Sequence, residues 1–120
     1  MSTFKVQVVA VNPLKDGKAT PPIEALVDAG SELTWLPQSV LKNINVTTRS
    51  KKTFITATGE HIERNVAYLI LRAEGYETID EVVLGEKGDL NLLGVRTLEG
   101  FSVMVDNIAH RFVARASLAT

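Results

Sequence analysis

The chain has 120 residues, a net charge of -1 and no cysteine. A chain of this length can bury a core of its own, so we expect one domain spanning residues 1–120. The charge gives no support for binding to nucleic acid, and the lack of cysteine excludes a disulfide scaffold and thiol catalysis.

The first residues, 1–5, lack the long apolar segment of a signal peptide, and the longest apolar run, residues 67–71, is too short to cross a bilayer. We therefore expect a cytoplasmic protein with no membrane partner. Residues 4–11 alternate apolar and polar side chains, which predicts a half-buried strand. A polar turn follows, and a second strand is predicted at Ile23–Val27.

The second predicted strand runs directly into Asp28, and Ala29, Gly30 and Ser31 follow. A carboxylate in such an apolar setting is rarely buried unless a partner or a functional site needs it. The simpler interpretation is an aspartate that ends a strand or opens a turn, because turn aspartates are common. Asp28 is therefore a candidate functional residue, and both interpretations stay open at this point.

A short helical turn is predicted at residues 37–44, since proline is acceptable at the first helical position. The basic cluster that follows is interpreted as a solvated connection; it consists of Arg49, Lys51 and Lys52. One hairpin joins strands at residues 54–57 and 61–68 through a tip at residues 58–60. A second hairpin joins residues 67–72 and 78–84 around Gly75.

The last part of the chain predicts a short helix and a final hairpin. Leu92 and Leu93 form an apolar pair that ends on Gly94. Residues 97–99 then predict one or two helical turns closed by Gly100. Strands at residues 102–105 and Arg111–Ala114 form the hairpin. Short strands with frequent turns and one short helix predict a compact all-β domain.

An Asp-x-Gly after a strand, a glycine-tipped hairpin and a Leu-Leu-Gly before a short helix occur in this order. The order resembles the retropepsin-like aspartic proteases, the family of the retroviral proteases and their bacterial single-domain relatives. Residues 26–31 resemble the catalytic Asp-Thr/Ser-Gly loop, and residues 55–63 resemble the flap. Residues 92–99 resemble the Leu/Ile-Leu-Gly segment with its C-terminal helix, and residues 103–113 resemble the closing strands.

The resemblance implies an aspartic endopeptidase with a small closed β-barrel-like acid-protease fold. In such an enzyme two carboxylates share one proton, so that together they deprotonate a water and protonate the peptide carbonyl. This chain holds a single Asp-x-Gly. A complete site therefore needs a two-fold homodimer in which Asp28 faces Asp28 of a second copy. No metal and no cofactor is implied.

The resemblance also implies roles for the neighbours of Asp28. Gly30 lets the backbone approach the shared water, and the Ser31 hydroxyl bonds the outer oxygen of Asp28. The flap, about residues 55–62, closes over a peptide or protein substrate that binds in extended conformation by strand addition. The segment 111–118 adds strands to the dimer interface. The implied substrate-binding residues are Gly30, Ser31, Ala57, Thr58 and Gly59.

Ala29 departs from the family pattern, in which a Thr or Ser hydroxyl bonds backbone of the opposite subunit and clamps the two loops together. Alanine cannot make this hydrogen bond, and an unmade buried bond costs about 1–3 kcal/mol. One alternative is therefore a catalytically weak or silent peptide-binding or assembly module with the same fold. The other is a small binding domain in which Asp28 merely ends a strand.

The remaining candidates favour structural roles. His61 and His110 have no metal-ligand spacing in a chain without cysteine, and we expect both at the surface. Trp35 lies shortly after the Asp28 stretch, and we expect it to pack in the core or at an interface.

Overall fold

Nine strands and two short α-helices make up the part of the chain that the computed structural model describes, which is residues 3–14, 17–116 and 118–119. In chain order they are β1 (Lys5–Val11), β2 (Ile23–Val27), β3 (Thr34–Pro37), α1 (Gln38–Leu41), β4 (Ser50–Ile55), β5 (His61–Ala73), β6 (Tyr76–Gly85), β7 (Leu92–Leu93), α2 (Val95–Gly100), β8 (Val103–Asp106) and β9 (Arg111–Ala114). The chain is mostly β-sheet with a short helix before its last two strands, as predicted.

Seven strands form one sheet in the order β1-β2-β7-β3-β6-β5-β4, and β1 also pairs with β5. The first half of β1 pairs with β2, from Lys5 to Val8, and the second half pairs with β5, from Val9 to Val11. The backbone pairing therefore returns to its starting strand and closes the sheet. β4 lies outside this closed sheet and pairs with β5 alone among the described strands.

The core fills the inside of the closed sheet because its strands alternate buried and exposed residues. On β1, Val6 and Val8 are buried whereas Lys5 and Gln7 are exposed. Burying an aliphatic side chain fully contributes about 1.5–3 kcal/mol relative to leaving it in water. The largest fully buried side chains are Leu36, Leu41, Leu69, Leu71 and Leu93. Two of them lie on the strands β3 and β7, namely Leu36 on β3 and Leu93 on β7.

Two predicted strands are a single strand in the structure. The predictions at residues 61–68 and 67–72 fall on β5, which is continuous from His61 to Ala73. β5 pairs with β4 through its first part and with β6 from Asn65 onwards, so it belongs to both predicted hairpins. No strand was predicted for β3, which pairs in parallel with β6. Four residues are too few for alternation to distinguish a strand from a loop.

The basic cluster is exposed, as interpreted, but only Arg49 lies in the connection before β4. Lys51 and Lys52 lie on β4, and the Lys52 ammonium pairs with Glu81 at 2.6 Å. The Arg49 guanidinium lies 5.8 Å from the centre of the Tyr68 ring. Long basic side chains suit an edge strand, because their charge discourages pairing with another chain.

Both predicted helical segments are present. A helical turn does follow Pro37, as α1 and then a 3₁₀ turn at Lys42–Ile44. α2 includes Gly100 as its last residue, and the left-handed position is Ser102, with φ 58°. The prediction that Gly100 caps the helix was therefore wrong. A Cβ at Gly100 would overlap the Thr78 hydroxyl of β6, so glycine allows the helix to approach the sheet closely.

The predicted final hairpin is present as β8 and β9, which form a separate two-stranded sheet. Phe112 of β9 anchors it, with its ring centre 6.1 Å from that of Phe4 and 6.2 Å from that of Phe101. The predicted segment 111–118 includes Ser117, which lies outside the described residues, so its place in a dimer stays a prediction. Among the described helices, none combines the length and the apolar character needed to cross a membrane.

Candidate functional site

Asp28 begins the loop that connects β2 to β3, and we call residues 28–33 the Asp28 loop. β7 lies between these two strands, parallel to β2 and antiparallel to β3. The Asp28 amide donates to the Leu93 carbonyl oxygen at 3.0 Å, which continues the β2–β7 ladder by one residue. The loop thus leaves the sheet on one side of β7 and re-enters it on the other, so both of its ends are fixed.

The Asp28 carboxylate is half-buried and held by its own loop. Its Oδ1 accepts a hydrogen bond of 2.9 Å from the Gly30 amide. A Cβ at Gly30 would lie 3.1 Å from this oxygen, so a larger residue would press on the carboxylate. No residue that the structure describes donates to the other oxygen, Oδ2. The described residues therefore fix one oxygen of Asp28 and place no donor on the other.

Residues 93–96, which we call the Gly94 segment, hold the Asp28 loop from the other side. The Val95 amide donates to the Ser31 carbonyl oxygen at 2.8 Å, and the Arg96 amide donates to that of Glu32 at 3.1 Å. A Cβ at Gly94 would overlap the backbone carbonyl of Leu33. Glycine at this position is required by the close approach of the two backbones.

The predicted role of the Ser31 hydroxyl was wrong. Ser31 Oγ donates to the Leu33 carbonyl oxygen at 2.8 Å and does not bond Asp28. Within the loop, the Gly30 amide occupies Asp28 Oδ1, and the Ser31 hydroxyl is satisfied by the carbonyl two residues further along the chain. Such a local bond from a hydroxyl to the backbone is common in turns. Ser31 therefore stiffens the loop and does not orient the carboxylate directly.

A cavity of about 340 Å³ opens beside the Asp28 carboxylate. Asp28, Ala29 and Gly30 line one side of it, while Val105 and Asn107 from the end of the final hairpin line another. Ala29 is exposed and offers only a methyl group. Asp28 and Gly30 are thus brought together in one concave site, as the sequence predicts.

The predicted hairpin tip is present, but it does not line the cavity. β4 ends at Ile55, so Ala57 belongs to the turn and not to the strand for which it was predicted. Ala57, Thr58 and Gly59 are all exposed, and Gly59 has φ 86°, which favours glycine. The turn is held by its own groups, since Thr56 Oγ1 lies 3.1 Å from Thr58 Oγ1. These residues remain predicted substrate-binding residues.

The end of β4 next to the hairpin tip contacts the strand that follows the Asp28 loop. The rings of Phe54 on β4 and Trp35 on β3 are 5.0 Å apart and tilted by 57°. Together with the buried residues Leu33, Val66 and Val83 they form a small cluster apart from the main core. The prediction that Trp35 packs structurally is thus confirmed for this chain.

A buried polar network behind the Gly94 segment was not predicted from the sequence. The Gly94 amide donates to Thr34 Oγ1 at 2.9 Å, and this hydroxyl lies 2.6 Å from Thr97 Oγ1. Thr97 in turn donates to Asp80 Oδ2 at 2.9 Å. Its members lie on β3, α2 and β6, up to 63 residues apart, so no local pattern could have indicated it.

Two carboxylates near the site titrate below their ordinary range. Hydrogen bonds from Arg64 to Asp89 lower the pKa of Asp89, and the same contact raises the pKa of Arg64. Amide donation from Ala109 and Ile108 lowers the pKa of Asp106, which ends β8 beside the cavity. Both carboxylates stabilise turns, because each accepts backbone amides of its own loop.

The two histidines lie at the surface, as predicted. Both are exposed, and the His110 ring stacks on Phe4 with 5.3 Å between ring centres. Within the part of the chain that the structure describes, no three His, Asp or Glu side chains are grouped so as to hold a metal ion. Comparison of the sequence with models of known protein families gives no match, and comparison with curated proteins gives none either.

Proposed function

We propose that this protein is an aspartic endopeptidase of the retropepsin type, active as a two-fold homodimer in the cytoplasm. The catalytic group is a pair of Asp28 carboxylates, one from each copy. The pair holds one proton, takes a proton from a water and gives one to the carbonyl oxygen of the scissile peptide bond. The substrate is a peptide or protein segment in extended conformation.

The observation that carries the proposal is the state of the Asp28 carboxylate. One oxygen is fixed by the Gly30 amide, the other has no donor among the described residues, and Asp28 is one of the residues that line a cavity. The bond from the Gly30 amide is one that a turn-opening aspartate also makes. What such an aspartate does not need is a second backbone segment that holds its loop beside a cavity. The arrangement supports a carboxylate positioned for chemistry.

Because the chain contains a single Asp-x-Gly, the second carboxylate of the proposed pair must come from a second copy. One carboxylate can accept a proton from water but cannot also protonate the carbonyl. Two carboxylates about 3 Å apart cannot both ionise, so the pair retains a proton for this purpose. The second carboxylate would then come from a second copy, related by a two-fold axis, whose Asp28 meets this one at the cavity that Asp28 lines.

The hairpin of β4 and β5 supports the proposed binding of an extended peptide. Its tip is exposed, and the strand just before the tip is anchored by the contact of Phe54 with Trp35 on the strand that follows the Asp28 loop. An anchored hairpin with an exposed tip can close over a peptide and exclude water from the reaction. Ala57, Thr58 and Gly59 are the residues proposed to contact the substrate backbone there.

The test is cleavage of a generic peptide library at acid to neutral pH, with and without a statine-containing peptide as a transition-state mimic. The Asp28→Asn variant keeps the shape of the side chain but cannot serve as the base. We expect it to lower kcat/KM on the order of 10³-fold or more. Glu24→Gln on the same strand is the matched control, because Glu24 is exposed and makes only a surface ion pair with Lys5. Cleavage that survives Asp28→Asn would exclude the proposed mechanism.

Ala29 favours a second candidate function, a peptide-binding or assembly module without catalysis. Its exposed methyl group cannot make the hydrogen bond that clamps two such loops across a dimer axis. In that case the protein dimerises and binds extended peptides but cleaves none of them. Binding of the statine-containing peptide without turnover of any library member would favour this candidate.

A further inference from the structure

The buried network that ends on Asp80 has a fixed direction. A carboxylate only accepts, so the single proton of the Thr97 hydroxyl points to Asp80. Thr97 can then only accept from Thr34, and the Thr34 hydroxyl must be the donor in that contact. Thr34 in turn accepts from the Gly94 amide. Each group therefore donates towards Asp80, and such chains strengthen one another.

Asp80 is equipped to end this chain as an ionised acceptor. It is buried, with 8% of its surface exposed, and its Oδ1 accepts the Glu81 amide at 2.7 Å. The Arg96 guanidinium lies 3.6 Å from the same oxygen and balances the charge. Both carboxylate oxygens are thus occupied, one by a backbone amide and the other by Thr97.

The other end of the chain is the Gly94 segment, which holds the Asp28 loop. Gly94 lies between Leu93, which accepts from the Asp28 amide, and Val95, which donates to Ser31. The position of the Gly94 amide therefore sets the position of the backbone on which Asp28 is carried. We propose that Asp80 is a positioning residue that fixes the Asp28 loop through Thr97, Thr34 and Gly94.

This role rests on the proposed function only for its effect on catalysis; its effect on the loop can be measured without any activity. Asp80→Asn is the sharpest variant because it keeps the shape of the side chain but turns one acceptor into a donor. If the amide NH₂ faces Thr97, Thr97 must donate to Thr34, and the Thr34 proton loses its acceptor. If it faces the Glu81 amide, two donors oppose each other.

Glu81→Gln is the matched control. Glu81 is equally buried, also pairs with Arg96, and binds Lys52 at 2.6 Å, but it takes no part in the chain. The Glu81→Gln substitution removes one negative charge at the same place and leaves the direction of the hydrogen bonds in the chain unchanged. A difference between the two variants therefore reports the chain and not the loss of charge.

The first measurement is amide hydrogen exchange of Asp28 and Gly94 in the full chain. We expect Asp80→Asn to speed exchange at both amides by about ten-fold and Glu81→Gln to leave it within about two-fold. Equal exchange in the two variants overturns the proposal. Should Asp80→Asn fail to fold, Thr97→Val and Thr97→Ser make the same comparison, since only serine keeps the hydroxyl.

The second measurement is peptide cleavage by the same variants. We expect kcat to fall by about ten-fold in Asp80→Asn with KM within about two-fold, and Thr97→Ser to retain the activity that Thr97→Val loses. If the wild type cleaves peptides and Asp80→Asn leaves kcat unchanged, the positioning role is overturned. Faster exchange in a protein that never cleaves peptides contradicts the proposed function but leaves the link between Asp80 and the loop in place.

Discussion

The Asp28 loop and the tip of the β4–β5 hairpin are both turns that contain a glycine, yet they are held in opposite ways. The Asp28 loop receives hydrogen bonds from a second backbone segment, and that segment is fixed by a buried network. The hairpin tip is exposed and bonded only within residues 56–60. A carboxylate that must meet another needs a fixed backbone, whereas a segment that covers a substrate must be able to open.

Substitution of Gly94 and of Gly59 gives the largest expected difference, which is in the free energy of unfolding. Gly94→Ala places a methyl group against the Leu33 carbonyl, so one of the two backbones must move. We expect the free energy of unfolding to fall by about 3 kcal/mol, as for an overpacked core. Gly59→Ala meets no atom within 4 Å and only forces alanine to adopt a positive φ. Here we expect a loss of about 1 kcal/mol.

Chemical denaturation of both variants measures this difference. The comparison of the two turns fails if Gly59→Ala is as destabilising as Gly94→Ala, because the tip would then be held as tightly as the loop.

Ala29→Thr tests whether the Asp28 loop lacks only the hydroxyl that would clamp it to the same loop of a second copy. The exposed position accommodates the larger side chain, and each copy would gain one hydrogen bond across the proposed two-fold axis. At about 1 kcal/mol for each of the two bonds, we expect the dimer dissociation constant to fall about 30-fold. Sedimentation velocity over a dilution series measures it. Ala29→Val is the control, since valine has the shape of threonine without its hydroxyl, and equal effects of the two would remove the clamp argument.

Acid should weaken the ion pair that joins Arg64 on β5 to Asp89 in the loop before β7. Arg64 lowers the pKa of Asp89 in the folded state, so this pair stabilises the fold above the unfolded pKa of about 3.9. The stabilisation is lost as the pH falls through the lower, folded pKa. We expect Asp89→Asn to lower the free energy of unfolding at neutral pH by no more than about 1 kcal/mol and to flatten its decline below about pH 4.

Denaturation of wild type and Asp89→Asn at neutral and acid pH checks this expectation. An equally steep acid decline in the variant would show that other carboxylates control it.

The parts of the fold that depend on local patterns could be predicted from the sequence. β2 was predicted with its observed bounds because a mostly apolar run follows Pro21 and Pro22 and ends at Asp28. The bond from Gly30 to Asp28 spans only two residues, so the local sequence was enough to single out this loop. The continuity of β5 was missed, since one long strand that serves two hairpins looks locally like two short ones.

The support of the site could not be predicted, because it depends on contacts between distant residues. Thr34 and Thr97 are 63 residues apart, and Asp80 and Thr97 are 17 apart. In the sequence each of them is an ordinary polar residue next to an apolar one. Their burial follows from the parallel pairing of β3 with β6, which the sequence did not indicate. The Ser31 hydroxyl was likewise misassigned, since the sequence does not show that it donates to the Leu33 carbonyl oxygen.

The central claim is that Asp28 acts only together with Asp28 of a second copy, and a mixing experiment tests it most directly. Wild type and Asp28→Asn are mixed at increasing ratios and constant total concentration, and peptide cleavage is measured after exchange of subunits. If both carboxylates are needed, activity follows the square of the wild-type fraction, so an equal mixture retains about a quarter of it. An equal mixture that retains half would mean that each copy cleaves alone, which contradicts the account.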